Sequence, residues 1–385
     1  MSSANAHHDW RPFHRNEMLP PKPPPPATTG VLGWLRENLF PNWWNTLLTF
    51  IGLYVVWLIA SALIEFAIIN AVWEGEDRKA CLPGAGAEVG ACWAYVKAKF
   101  NQFMYGFYPD AEEWRVNLTY VIGIVLLIPL LIPKAPYKGL NALLLFGLYP
   151  VLAYLLLYGA PALGLPVVET AQWGGLLLTL VIALTGIVIS LPLGIVFALG
   201  RRSRLPVIRF LSIAFIEFWR GVPLITVLFM SSVMLPLFLP EDVTLDKVVR
   251  PLVGVALFAA AYMAEVVRGG LQAIPKGQYE AADALGLTYW QSMRLVILPQ
   301  ALKLVIPGIV NTFIGLFKDT SLVSIIGLFD LLGIVQTSLA DSKWATPTTA
   351  PTAYLFLALI YWFFCFGMSR YSIFMERYLH TGHKR

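Results

Sequence analysis

Charge is what this sequence has least of. Only 13% of its 385 residues are Asp, Glu, Lys or Arg, where a soluble protein carries about 25%, so most of the chain cannot present a surface to water. Histidine is scarcer: all five, His7, His8, His14, His380 and His383, lie near the ends. The apolar body therefore holds no imidazole to serve as base or metal ligand. No GxxxxGK[ST] stretch is present to cradle nucleotide phosphates, and no HExxH pair to hold zinc. The Ser and Thr of the apolar segments lack a His partner for nucleophilic work. These absences argue against a soluble enzyme, a nucleic-acid binder and an intramembrane hydrolase. No catalytic residue, metal site or cofactor of the chain's own is expected.

Apolar residues supply what is left. They make up 57% of the chain, with 13 Trp, 16 Tyr and 23 Phe, an aromatic load suited to helices that cross a membrane interface. Runs long enough for about 30 Å of hydrocarbon lie at 46–70, 117–133, 141–159, 173–199, 208–238, 250–268, 303–317 and 352–374. The sequence thus predicts an all-α polytopic membrane protein of about eight spans. The apolar stretch 319–340, broken by Gly327 and Gly333, reads as a re-entrant or outer element, with a ninth span as the alternative. Residues 1–45 are polar and interrupted, and the run Pro20–Pro26 favours an extended tail.

The net charge of +5 has a topological reading. With the N-terminus inside, eighteen Lys and Arg fall on the inner side and eight on the outer, as the positive-inside rule requires. Eight spans then leave both termini in the cytoplasm, and Arg201–Arg204 needs no nucleic acid to explain it. Of three cysteines, Cys365 sits in the last span, whereas Cys81 and Cys92 share the outer segment 71–115. In an oxidising compartment these two are expected to form a disulfide.

Between Tyr262 and Gly333 the sequence stops resembling a generic membrane helix. Glu280-Ala281-Ala282 is followed, after a three-residue gap, by Gly286, and then by Leu298-Pro299. Good helix formers over Gln278–Leu285 predict a short helix, with Gly286 as its left-handed stop. Pro299 is expected to re-aim the chain towards the next span. This spacing resembles the EAA loop of ABC-importer permeases. The resemblance implies a coupling helix that sits in a cleft of a separate ATPase, with Glu280, Ala281, Ala282, Gly286, Leu298 and Pro299 carrying the coupling. The segments AYMAEVVRGG, IPKGQYEAA, LPQAL and KDTSL resemble polar amino-acid uptake permeases, and FWRGVPL resembles their E-x-x-R-G-T-P-L element with Val222 in place of Thr.

Three added N-terminal helices and the Cys-bearing loop make the chain most similar to a membrane subunit of bacterial general L-amino-acid permeases. That resemblance implies a type I importer core of five helices over 173–374, preceded by a three-helix extension over 46–172 and followed by a tail over 375–385. It also implies a second, homologous permease as heterodimer partner, a dimer of ATP-binding subunits carrying ATP and Mg, and a periplasmic amino-acid-binding protein. The location implied is the bacterial inner membrane. The competing class is a self-standing secondary transporter or channel for amino acids; it predicts an internal repeat, and nothing resembling KGQYEAADALG recurs.

Charged residues inside spans are costly and face protein or water. Glu217 and Arg220 are three apart, share a helix face and can neutralise each other; Glu265 and Arg268 repeat the spacing. Such pairs either fix the bundle or line a gate or the substrate path, for which Glu217 and Arg220 are candidates. Gly221 and Pro223 predict a bend directly after Arg220. At the end of the seventh span, Lys318, Asp319, Thr320 and Ser321 offer both charges and two hydroxyls. They suit either the path of a zwitterionic substrate or a turn that caps the next helix. Asn311 lies about two turns earlier on the same span.

Overall fold

The computed structural model describes residues 30–82, 89–240 and 245–379, and every regular element in them is helical. The Pro20–Pro26 run and the terminal histidines lie outside the described residues. The chain divides into two compact units, residues 1–69 and 70–385.

Within the first unit, α1 (Gly30–Asn38) leads into α2 (Trp43–Ile64). The Asn42 side chain caps α2 by accepting from the amide of Asn45 at 2.9 Å, satisfying one of the orphan donors at a helix start. The Thr49 hydroxyl donates to the carbonyl of Leu39 at 2.8 Å and fixes the turn between the helices. A π-turn over Glu65–Ile69 ends the unit. No residue of Trp43–Ile69 is buried within this unit.

The second unit opens with a small module. Cys81 and Cys92 are joined by a disulfide with Cα atoms 5.7 Å apart, and both are fully buried. Two short helices follow, α3 (Trp93–Ala98) and α4 (Phe100–Tyr105). Next come α5 (Glu113–Leu131), α6 (Lys138–Leu143) running through a π-turn into α7 (Tyr149–Tyr158), and α8 (Gly175–Arg201). After them lie α9 (Pro206–Gly221), α10 (Leu224–Phe229) and α11 (Val249–Ala273). The loop helices are α12 (Lys276–Ala284), α13 (Tyr289–Ser292) and α14 (Leu298–Leu304), and α15 (Ile306–Asp319), α16 (Leu331–Ser338) and α17 (Thr349–Leu379) complete the chain.

Among the described residues, seven helices are long and apolar enough to cross a membrane, or eight if α9 and the run Leu224–Phe238 form one bent span. The expected eight spans all have counterparts, the bend expected after Arg220 forms, and one expectation, at Pro299, fails. The run 208–238 is bent by 105° at Val222–Pro223. Val222 is extended there (φ −106°, ψ 132°), as the residue before a proline prefers. The stretch 319–340 holds no span of its own: Thr320–Ile326 continues the seventh span as a 3-10 helix, Gly327 turns the chain at φ +79°, and α16 is eight residues long. Pro299 does not re-aim the chain. It lies near the start of α14, which continues the helical run from Tyr289 through a π-turn over Met293–Ile297, and the break comes later, at Val305. The amide of Leu298 bonds back to the carbonyl of Met293, so the ladder is already widened where proline lacks an N–H.

The centre of the unit is the pair α8 and α11. A Cβ on Gly194 would lie 2.6 Å from Cγ of Met263, so glycine is what lets the two backbones approach. α11 meets its neighbours through small residues, among them Gly254, Ala259, Ala260, Ala264 and Gly270; close approach of this kind replaces the hydrophobic drive that lipid does not supply.

At 27 residues, α8 is about 40 Å long, and its two ends belong to different clusters. At its start the amide of Gly175 donates to the carbonyl of Phe329 at 2.8 Å. Beside it lies a core of Cys81, Cys92, Tyr95, Phe103, Leu331, Ile334 and Trp344. Here the module is bonded to the C-terminal half: the Cys92 amide donates to Thr352 Oγ1 at 2.9 Å, Tyr95 shares a hydrogen bond with Ser338, and Lys99 pairs with Asp341 at 2.7 Å. At its far end Ala198 joins Ile216, Met263, Leu271 and Ile297, next to α12.

Candidate functional site: the α12 loop and the charges behind it

The site is built on how α12 stops. Gly286 has φ +70° with open space where a side chain would be. Its amide donates to the carbonyl of Asp283 at 2.9 Å, and that of Leu287 donates to Ala282 at 3.2 Å. These two bonds make a Schellman closure, which satisfies carbonyls the helix end would otherwise leave bare. Ala282 is buried against the body, while Glu280, Ala281 and Gly286 are exposed on the outer side. Leu285, Tyr289 and Trp290 extend this face, and Trp290 is 70% exposed. Two turns of helix thus present small, acidic and aromatic side chains outward from a fixed seat.

Leu298 and Pro299 lie at the other end of the loop, Leu298 half-buried and Pro299 exposed. A bond that sequence reasoning missed joins the two ends: Gln300 Nε2 donates to Gln278 Oε1 at 3.1 Å. Between them Thr288 and Gln291 form a capping box that starts α13.

Behind α12 lies a cluster of five charges. The pairing of Glu217 with Arg220 that their spacing allows does not form. Glu217 Oε1 meets Nη1 of Arg201 at 3.0 Å, and Arg201 also reaches Glu265 Oε1 at 2.9 Å. Arg220 comes no nearer than 3.8 Å to Glu265 Oε2 and lies over the Tyr262 ring at 5.6 Å. A partner from α8 has displaced the local one because Arg201, at the helix end, can reach α9 and α11 together. Glu265 and Arg268 do pair, at 2.7 Å. Glu265 therefore serves three guanidinium groups with its side chain only 15% exposed, whereas that of Glu217 is 57% exposed. Arg201 was visible in the sequence only as one of a basic run after a span.

Asn311, Lys318, Asp319, Thr320 and Ser321 make no bond to this cluster among the described residues. Asn311 and Lys318 are exposed and Asp319 is half-buried. Thr320 donates to the carbonyl of Phe317 at 2.8 Å and Ser321 to that of Lys318 at 2.9 Å. The Asp319 side chain does not cap the 3-10 turn that follows, so the capping alternative fails. Asp330, which sequence reasoning passed over, caps α16 instead. Its carboxylate accepts from the amides of Gly333 and Leu332 at 3.0 and 3.3 Å, and burial pushes this carboxyl up to about 6.

Residues 190–372 match the family described as binding-protein-dependent transport system inner membrane component. The chain is 53% identical over 363 residues to the inner membrane amino-acid ABC transporter permease protein YhdY of Escherichia coli K12, covering 94% of this chain and 97% of that one. It is 43% identical to the glutamate/glutamine/aspartate/asparagine transport system permease protein BztC of Rhodobacter capsulatus, over 97% of this chain and 99% of that one. Among solved structures, a chain in the crystal structure of an amino acid ABC transporter with histidines is 30% identical. That match covers 53% of this chain and 91% of the other, with a TM-score of 0.46.

Proposed function

This chain belongs to the family of binding-protein-dependent transport system inner membrane components, and from that premise we propose that it is the permease subunit of an ATP-driven ABC importer that carries L-amino acids. In this family ATP hydrolysis lies on a separate subunit, and the permease works with that subunit and with a substrate-binding protein. The observation that carries the reading is similarity to two amino-acid ABC permeases along nearly the whole chain. The self-standing transporter finds no support beside it.

The finer assignments follow the same reading. Residues 173–374 form the permease domain and 46–172 an N-terminal extension, whose segment 71–115 has a structural use. The Lys and Arg bias puts α12 and both termini on the cytoplasmic side of the inner membrane. A homologous second permease completes the pore as a heterodimer. A dimer of ATP-binding subunits, which hold ATP and Mg, receives α12 in its cleft through Glu280, Ala281 and Gly286. Nucleotide binding and hydrolysis favour different global states of the complex, and α12 passes that difference to the spans as a coupling free energy. Glu217, Arg220, Asn311, Lys318, Asp319, Thr320 and Ser321 supply the charges, the amide and the hydroxyls of the substrate path.

Uptake of labelled glutamate, leucine and spermidine in cells with and without the chain tests this function. Loss of both amino acids, with spermidine unaffected, is the expected result and marks a broad specificity. Loss of spermidine uptake alone would overturn the substrate class.

A further inference from the structure

The last residue of α8 and the C-cap that follows it hold two different parts of the molecule. Arg201 bonds through Nη1 to Glu217 of α9 and Glu265 of α11. Arg202, the C-cap, faces α12 instead. Its Nη1 donates to the Tyr279 hydroxyl at 2.9 Å and to the carbonyl of Leu271 at 3.0 Å, and its guanidinium lies 5.4 Å from the centre of the Tyr279 ring. The Tyr279 hydroxyl in turn donates to the same Leu271 carbonyl at 3.1 Å. Arg202, Tyr279 and Leu271 thus close a ring of hydrogen bonds that joins α12 to the ends of α8 and α11, and Tyr279 is the residue before Glu280.

Resting on the function proposed above, we propose that Arg201 and Arg202 are positioning residues that carry movement of α12 to the bend between α9 and α10. α8 is packed too closely on α11, Gly194 against Met263, to absorb a displacement gradually; packed interfaces of this kind shift between discrete arrangements. An open groove of about 430 Å³ lies beside this ring of bonds, lined by Arg202, Lys276, Tyr279, Glu280 and Asp283, so α12 is not walled in on that side. A shift of Tyr279 draws on Arg202 at the cap. The neighbouring Arg201 then cannot keep both carboxylates at 2.9 and 3.0 Å, because its planar fork is directional. Glu217 stands five residues before Val222, where the 105° bend begins. Release of Glu217 therefore frees α9 just ahead of its hinge.

The test uses the full chain assembled with its second permease, ATPase and binding protein in proteoliposomes, with ATP hydrolysed per labelled glutamate or leucine imported as the readout. Wild type must first show ATP-driven uptake; if it does not, the functional reading itself fails and takes this relay with it. Given that uptake, Arg201→Lys, Arg202→Lys and Tyr279→Phe are each expected to raise the ratio of ATP hydrolysed to amino acid imported by about tenfold. The double variant Arg201→Lys/Arg202→Lys is expected to do no more than the stronger single variant, since both act on one link. A merely structural role would lower the amount of complex, and both rates together, with the ratio unchanged. Unchanged ratios, or a double variant whose effect is the product of the two singles, would overturn the proposal. Tyr279→Phe removes one hydroxyl only, so it reports even if the arginine variants fail to assemble.

Discussion

Arg201 and Glu265 meet at 2.9 Å across 64 residues of sequence, and that contact makes Glu265 the hub of the charge cluster behind α12. Three arginines converge on one carboxylate, two of them from outside its own helix. Removing the hub leaves three cations without their shared anion, which is worse than removing any one spoke.

Glu265→Gln is therefore expected to destabilise the chain by about 2 kcal/mol, as for losing charge-assisted hydrogen bonds at a partly buried site. Glu217→Gln, at an exposed position, is expected to cost below about 1 kcal/mol. Thermal unfolding of both variants in detergent gives the comparison; equal losses would contradict the hub.

Gly286 divides backbone from docking. Its left-handed φ favours glycine or asparagine, and no neighbour stands where a Cβ would go. Gly286→Asn is expected to keep the stop of α12 and much of the uptake. Gly286→Asp is expected to insert normally and to abolish ATP-driven uptake by placing a charge on the exposed face proposed for coupling. Normal uptake by the Asp variant, at equal abundance in the membrane, would sink the assigned role of this face.

The disulfide closes a short loop, Cys81 to Cys92 being 11 residues apart. Replacing both cysteines by serine is expected to lower stability by about 2–3 kcal/mol on the chain-entropy account. Both sulfurs are buried, so mild reductant is expected to leave the folded wild type unchanged. A melting temperature that falls in the double-serine variant and not in wild type with reductant is the expected pattern.

Asp330 predicts a pH dependence. Its carboxyl is raised by burial from the ordinary 3.8 to about 6, so the folded state holds the proton more tightly than the unfolded. The stability this contributes is full below about 4 and is lost as pH rises through about 6. Asp330→Asn keeps a cap acceptor for α16 and removes the titration. The variant is expected to gain on wild type by about 3 kcal/mol at most between pH 4 and 7. Parallel stability curves for the two proteins would contradict this.

Much of the architecture was legible because its signals are local. Long apolar runs mark the spans, and the helix over Gln278–Leu285 with its glycine stop follows from residue preferences alone. Cys81 and Cys92 needed only their shared loop. What escaped the sequence depends on partners far along the chain. Spacing by three says that Glu217 can reach Arg220, and cannot say that Arg201 reaches it first. Pro223 announced a bend, but its angle depends on how α10 packs beyond it. Pro299 misled because the π-turn over Met293–Ile297 absorbs the missing donor. The Gln278–Gln300 bond joins positions that no local rule relates.

On the function proposed above, this chain imports amino acids only as part of an ATP-driven complex. The most direct test is uptake of labelled glutamate and leucine into proteoliposomes, comparing the full complex with ATP, the full complex without ATP, and this chain alone under an ion gradient. The account predicts accumulation in the first case only. Gradient-driven accumulation by the chain alone would contradict it.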